Sequence, residues 1–168
     1  SVPLADLTKM LGKKPPQRVH GTAVFLTADP ETAPTALMHN LKHNHVLHNT
    51  NILLTIKTAQ VPYVPESEQI TVETLSDDFR RIVANLGYMQ SPRIPYLLAQ
   101  ARRQGCEFEL MQTSFFLGRR TIKASAQSGM PLWQDGLYIA LARSAANATD
   151  FFHIPYNRVV EMGSQVTV

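Results

Sequence analysis

"GTAVFLT" (residues 21–27) and "NILLTIKT" (residues 51–58) are two short apolar runs, and what lies between them sets the fold. Each has the length and β-branched or aromatic content of a buried strand. The intervening "ADPETAPTALMHNLKHN" (residues 28–44) has a different period. Asp29 is suited to cap a first turn with Pro30 at the first helical position. Pro34 permits a second start, so the main helix is expected from Pro34 to Asn44, with Leu37, Met38 and Leu41 on one face. Strand, helix and strand in this order make a βαβ unit, with parallel strands and a right-handed crossover.

Downstream, "QITVETL" and "FRRIVANLGYM" flank Ser76, Asp77 and Asp78. These three are turn formers, and the expectation is an antiparallel hairpin. "SPRIPYLLAQARRQG" reads as a helix with Ser91 as its cap and Pro92 in its first turn. Arg102 and Arg103 lie near its negative end and Gly105 stops it. "CEFELMQTSFFLG" (106–118) reads as one long strand. Residues 118–129 are polar and read as a loop or an outlying arm. "PLWQDGLYIALARSAANAT" (131–149) reads as a helix burying Leu132, Trp133, Leu137, Leu141 and Ala145, and "NRVVEMGSQVTV" closes the chain as strand. The sum is an α/β fold: a mixed β-sheet with an N-terminal βαβ unit, an antiparallel hairpin and flanking helices.

Upstream, residues 1–19 read as a linker with one helical turn. Leu4, Leu7 and Leu11 have helical spacing, and Pro15 and Pro16 end it. Lys13 and Lys14 read there as solvated charges, and in second place as contacts to an acidic membrane surface. Residues 20–168 then form a single domain, a size that buries a core without staples. The one cysteine, Cys106, excludes an internal disulfide.

The net charge of +3 comes from 16 basic and 13 acidic residues scattered among each other. A nucleic-acid binder shows a denser basic patch with interleaved aromatics, so no nucleic-acid partner is expected. No run reaches the ~18 apolar residues of a membrane helix.

Four of the six histidines, His39, His43, His45 and His48, fall in "MHNLKHNHVLHN" (38–49). On a helix His39 and His43 are i and i+4 and face the same way, a spacing that can hold zinc. The metalloprotease pattern requires Glu directly after the first His, and Asn40 stands there. His45 and His48 lie past the helix end. The cluster is read as structural or interfacial, with no metal site. Cys106 lacks an evident partner base, Asp77 and Asp78 are a turn pair, and no phosphate-loop or nucleophile-elbow motif is present, so no catalytic residue is assigned. The Arg pairs 80–81, 102–103 and 119–120 are read as solvated faces first and anion sites second. In parallel sheets ligands sit beyond the carboxyl ends of the strands. That places a candidate ligand site at "TADPET", with Thr27, Asp29 and Thr32 and the N–H groups of a helix N-terminus.

Four stretches, "RVHGTAVFLT", "ALMHNLKHNHVLH", "LMQTSFFLGR" and "IPYNRVVEMGSQVTV", together resemble the C-terminal cytosolic domain of the KUP/HAK/KT family of potassium uptake permeases. The resemblance runs from about Arg18 to Val168. Gly21, Thr22, His39, Asn40, Leu41, Lys42, His43, Asn44 and His48 match the family pattern. His45 departs from its usual Lys, Gln112 and Arg120 from Glu, and Tyr156 from Pro. The resemblance implies that His39, Asn40, Lys42, His43, Asn44 and His48 are a signature of the cytosolic fold or its contacts. It further implies a cytosolic regulatory and assembly domain of a proton-coupled potassium importer, at the cytoplasmic face of the inner membrane, without enzymatic activity. The partners implied are the transporter's own transmembrane domain and a second copy, as a homodimer. No cofactor is expected beyond a nucleotide or dinucleotide effector at the "TADPET" edge. The competing reading is a stand-alone soluble nucleotide-binding protein or enzyme.

Overall fold

The computed structural model describes residues 2–27, 29–118, 150–154 and 159–162. The βαβ unit is present: β1 (Gln17–Thr27) and β2 (Val46–Thr58) pair in parallel, with α2 (Thr35–His39) and a π-helical turn (Asn40–Asn44) between them. After α3 (Glu66–Gln69), β3 (Ile70–Thr74) and β4 (Phe79–Leu86) form the expected antiparallel hairpin. Then follow α4 (Ile94–Arg103), β5 (Thr113–Gly118) and β6 (Val159–Met162). The sheet order is β3-β4-β2-β1-β5-β6, and every pairing except β3 with β4 is parallel.

Continuous apolar strands need cover on both faces, because successive side chains point to opposite sides. One face buries Val24, Ile52, Leu54, Ile82 and Phe115 against Ile94, Leu97, Leu98 and Ala101 of α4 and against Phe152. The other buries Ala23, Phe25, Leu53, Phe79 and Phe116 against Leu37 of α2 and Leu7. Leu7 belongs to α1 (Leu4–Lys13), a ten-residue helix where the sequence suggested a single turn. The three leucines at helical spacing find an apolar sheet face, which turns a marginal segment into a packed one. Its start is tied down by hydrogen bonds from Leu4 N to Glu31 O and from Ala33 N to Val2 O.

Three further expectations change. Asp29 caps no helix, since α2 begins at Thr35 after Pro34. α4 begins at Ile94, with Arg93 rather than Ser91 at the cap position and proline in its first turn; Gly105, with φ of 95°, ends it as expected. Residues 106–112 are not strand: a 3-10 turn (Leu110–Gln112) precedes β5. The arm at 119–129 and the helix at 131–149 lie outside the described residues.

β1 carries a bulge. Val19 pairs with His48 but Thr22 with Thr50, so three residues oppose two. Gly21 sits in it with φ of 102°, and a Cβ there would come within 2.6 Å of Gln112 O. Glycine is required twice over, by the backbone angle and by the close neighbour.

Candidate functional site at the edges of the sheet

Thr27, Asp29 and Thr32 are brought together by the turn that follows β1. The Thr27 hydroxyl donates to the Asp29 carbonyl (3.0 Å) and accepts from Asp29 N–H (3.3 Å). Asp29 Oδ1 accepts from Glu31 N–H (2.9 Å), and Oδ2 accepts from the Thr32 hydroxyl (3.2 Å). These are the local side-chain bonds that Asp and Thr make in turns. The carboxylate therefore organises the turn. The helix N-terminus expected at this turn lies further on, since α2 begins at Thr35 after the extended Pro34.

Arg81 locks this turn to the hairpin. Its guanidinium donates to Glu73, to Glu31 (3.1 Å) and to the Pro30 carbonyl (3.0 Å), and its side chain is 16% exposed. Arg80 donates to the Ser76 carbonyl. The pair is thus a set of internal fastenings, not the solvated face expected. Arg102 lies over the Phe108 ring at 5.6 Å.

The histidines divide among three places. His39 and His43 are exposed, with ring centroids 4.5 Å apart. Between them Asn40 is buried, and its Oδ1 accepts from the Asn44 amide (3.1 Å), which closes the π-helical turn. His45 takes the left-handed conformation with φ of 54° and turns the chain into β2. His48 stands on β2 with its ring edge-on to Phe116 at 6.0 Å. Among the described residues no three His, Cys, Asp or Glu side chains gather in a group able to hold a metal ion.

Burial pushes the His48 pKa below its ordinary 6.5. The unfolded chain then binds a proton that the folded chain resists. Stability from this group is full above about pH 6.5 and is lost as pH falls through the window between that value and the lower folded pKa. We expect a lower urea midpoint at about pH 5.5 than at about pH 7.5, with the difference shrinking in His48→Gln. An equal drop in the variant would remove His48 as the cause.

Two clefts flank α4. One, of ≈ 540 Å³, opens at the amino edge and is lined by His20, Gly21, Asn49, Arg102, Cys106 and Glu107, among others. The Cys106 thiol is buried and its pKa is pushed up by that burial, so it is a poor nucleophile. The other, of ≈ 360 Å³, opens at the carboxyl edge beside Gln69, Gln90, Arg93 and Tyr96. Motif reading missed both. Their walls come from segments remote in the chain, and only the exposed Tyr63, Tyr88, Met89 and Tyr96 near the second could have hinted at it.

Residues 20–168 match the family described as the K+ potassium transporter C-terminal domain. The chain is 58% identical over 168 residues to a probable potassium transport system protein Kup of Caulobacter vibrioides, covering 100% of this chain and 25% of that protein. It is 59% identical over 167 residues to a probable potassium transport system protein Kup 1 of Bradyrhizobium diazoefficiens, covering 99% of this chain and 25% of that protein. It is 57% identical over 167 residues to a probable Kup 2 of Rhodopseudomonas palustris, covering 99% and 26%. The chain spans about a quarter of the length of these curated relatives. No solved structure matches it.

Proposed function

This chain belongs to the family of K+ potassium transporter C-terminal domains, and we propose on that footing that it is the cytosolic assembly and regulatory domain of a proton-coupled potassium uptake transporter. The observation that carries the reading is the family match over 20–168, together with relatives four times as long that are named as potassium transport system proteins. Among the described residues no helix is long and apolar enough to cross a membrane, so the ion path is assigned to another part of the transporter. A sheet packed on both faces suits a rigid element against which a membrane part and a second protomer can be held. No catalytic step is assigned to it.

Regulation in this reading comes from a nucleotide or dinucleotide at the carboxyl edge of β1, near Thr27, Asp29 and Thr32. Such a ligand changes transport only by preferring one conformation of the transporter; equal affinity for both shifts nothing. Asp29→Ala with Thr32→Ala is expected to alter nucleotide affinity and potassium uptake together. The fold is expected to survive, since an exposed turn hydrogen bond contributes about 0.5–1.5 kcal/mol. Nucleotide titration of the 168-residue chain and potassium uptake by the full-length transporter are the two measurements. Titrations without binding to either form would end the sensing role, and uptake unaffected by deleting this domain would end the assembly role.

A further inference from the structure

The acids of this chain are unevenly placed. None occurs between Asp6 and Asp29, and none between Glu31 and Glu66. The fold brings a basic stretch of each of these two windows to one edge of the sheet. α1 and the α2–π-turn segment cover the same sheet face, sharing one apolar cluster through Leu7, Leu11, Leu37 and Leu41. Both start beside the turn after β1, where Leu4 N bonds Glu31 O, and both end at the amino edge, where Gln17 N bonds His45 O (2.9 Å). Lys13 and Lys14 at the end of α1 therefore lie at the same edge, on the same sheet face, as Lys42, His43 and His45. All five are exposed, and among the described residues none of the three lysines is in an ion pair. Met10, one turn back on α1, is 49% exposed.

The ordinary reading of bases at a helix end is relief of the helix dipole. It accounts for each end separately, and it does not account for two such ends at one edge, both from windows that hold no acid. The acids of this edge belong to other elements, with Asp77 exposed in the hairpin turn. Asp78 pairs with Arg18 at 2.8 Å, and Glu107 and Glu109 line the cleft on the α4 side of the sheet. Phe, Tyr and Trp, the usual stacking platforms for the bases of a single-stranded nucleic acid, do not occur in residues 7–24 or 32–62.

We infer that this edge is a docking surface for the anionic phospholipid headgroups of the membrane, with Lys13, Lys14 and Lys42 as the contacts and Met10 as a shallow apolar foot. The choice of a lipid surface rests on the reading above of a domain attached to a membrane transporter. Headgroup attraction is additive over bases near the surface and falls off within a Debye length. At about 1 kcal/mol for each base, removing two of them weakens partitioning by about thirtyfold.

The test is co-sedimentation of the 168-residue chain with vesicles of phosphatidylglycerol and phosphatidylcholine, against vesicles of phosphatidylcholine alone. Binding is expected only to the anionic vesicles, and to weaken as salt is raised. Lys14→Gln with Lys42→Gln takes one charge from each window and should lose about thirtyfold. Lys57→Gln with Arg93→Gln removes the same net charge away from this edge and should leave binding within about twofold of the parent. Equal losses in the two variants would reduce the effect to net charge and overturn the inference, as would absent binding to anionic vesicles. Tighter binding to an oligonucleotide of matched charge concentration would overturn it in favour of a nucleic acid. Vesicle binding that fails while uptake still depends on this domain refutes the docking surface alone and leaves the proposed function intact.

Discussion

Phe25→Ala is expected to lower the unfolding free energy by about 3–5 kcal/mol, the cost of emptying a large aromatic site in a packed core. Phe25 is 1% exposed. It lies in the middle of β1, flanked by Leu53 of β2 and Phe116 of β5. Its ring stacks on Phe116 with centroids 4.7 Å apart and planes inclined by 16°. The same cluster holds Leu7 and Leu37, so the ring also supports both covering helices. Few surroundings are free to collapse into the space, because strands on either side fix its walls. The measurement is urea unfolding, with the midpoint falling and the slope unchanged. Met111→Ala, at a side chain 75% exposed, is the comparison and should shift little. Equal shifts in the two variants would mean that this face of the sheet is not the packed core described.

Gly87→Ala and Gly12→Ala should move stability in opposite directions. Gly87 follows β4, where the chain at 61–64 lies flush against it. Tyr88 N–H donates to Val61 O (3.0 Å) and Met89 N–H to Pro62 O (3.1 Å). The Gln90 side chain accepts from both Gly87 N–H (2.7 Å) and Val64 N–H (3.0 Å). A Cβ at Gly87 would overlap the Pro62 carbonyl and come within 2.6 Å of Tyr63 N. Both obstacles are backbone, which yields less than a side chain, so a loss of about 3 kcal/mol is expected. Gly12 lies within α1 with nothing within 4 Å of an added Cβ, and alanine there should gain up to about 1 kcal/mol. Thermal unfolding of the two variants checks the pair. Stabilisation by both would show that the contact between 61–64 and Gly87 does not hold in solution.

Several features were legible because their cause is local. The turn residues Ser76, Asp77 and Asp78 produce the hairpin, and Gly105 ends α4. His39 and His43 face the same way because i and i+4 do on a helix. Where competing local signals coexist, the outcome was not legible. Pro92 and Pro95 both permit a helix start, and burying Ile94, Leu97, Leu98 and Ala101 on the sheet selects the second. Residues 106–109 alternate buried and exposed as a strand does, with Cys106 and Phe108 inward. They lack a neighbouring strand, and without a ladder the pattern alone makes no sheet. Thr27, Asp29 and Thr32 were legible as neighbours, but not the turn that joins them. Asp29 does bond the groups nearest it, but they belong to a turn that Arg81 pins from 50 residues away.

By itself the sequence determined the βαβ start, the antiparallel hairpin and the family, since these depend on short-range periodicity, turn chemistry and motif. Only the tertiary structure decided that residues 4–13 form a covering helix, that Arg81 is a fastening between β4, β3 and the turn after β1, and that Lys13, Lys14 and Lys42 come to one edge of the sheet. Each of these requires segments distant in the chain to meet, and the free energy that selects them is burial against a sheet which exists only once the strands have paired.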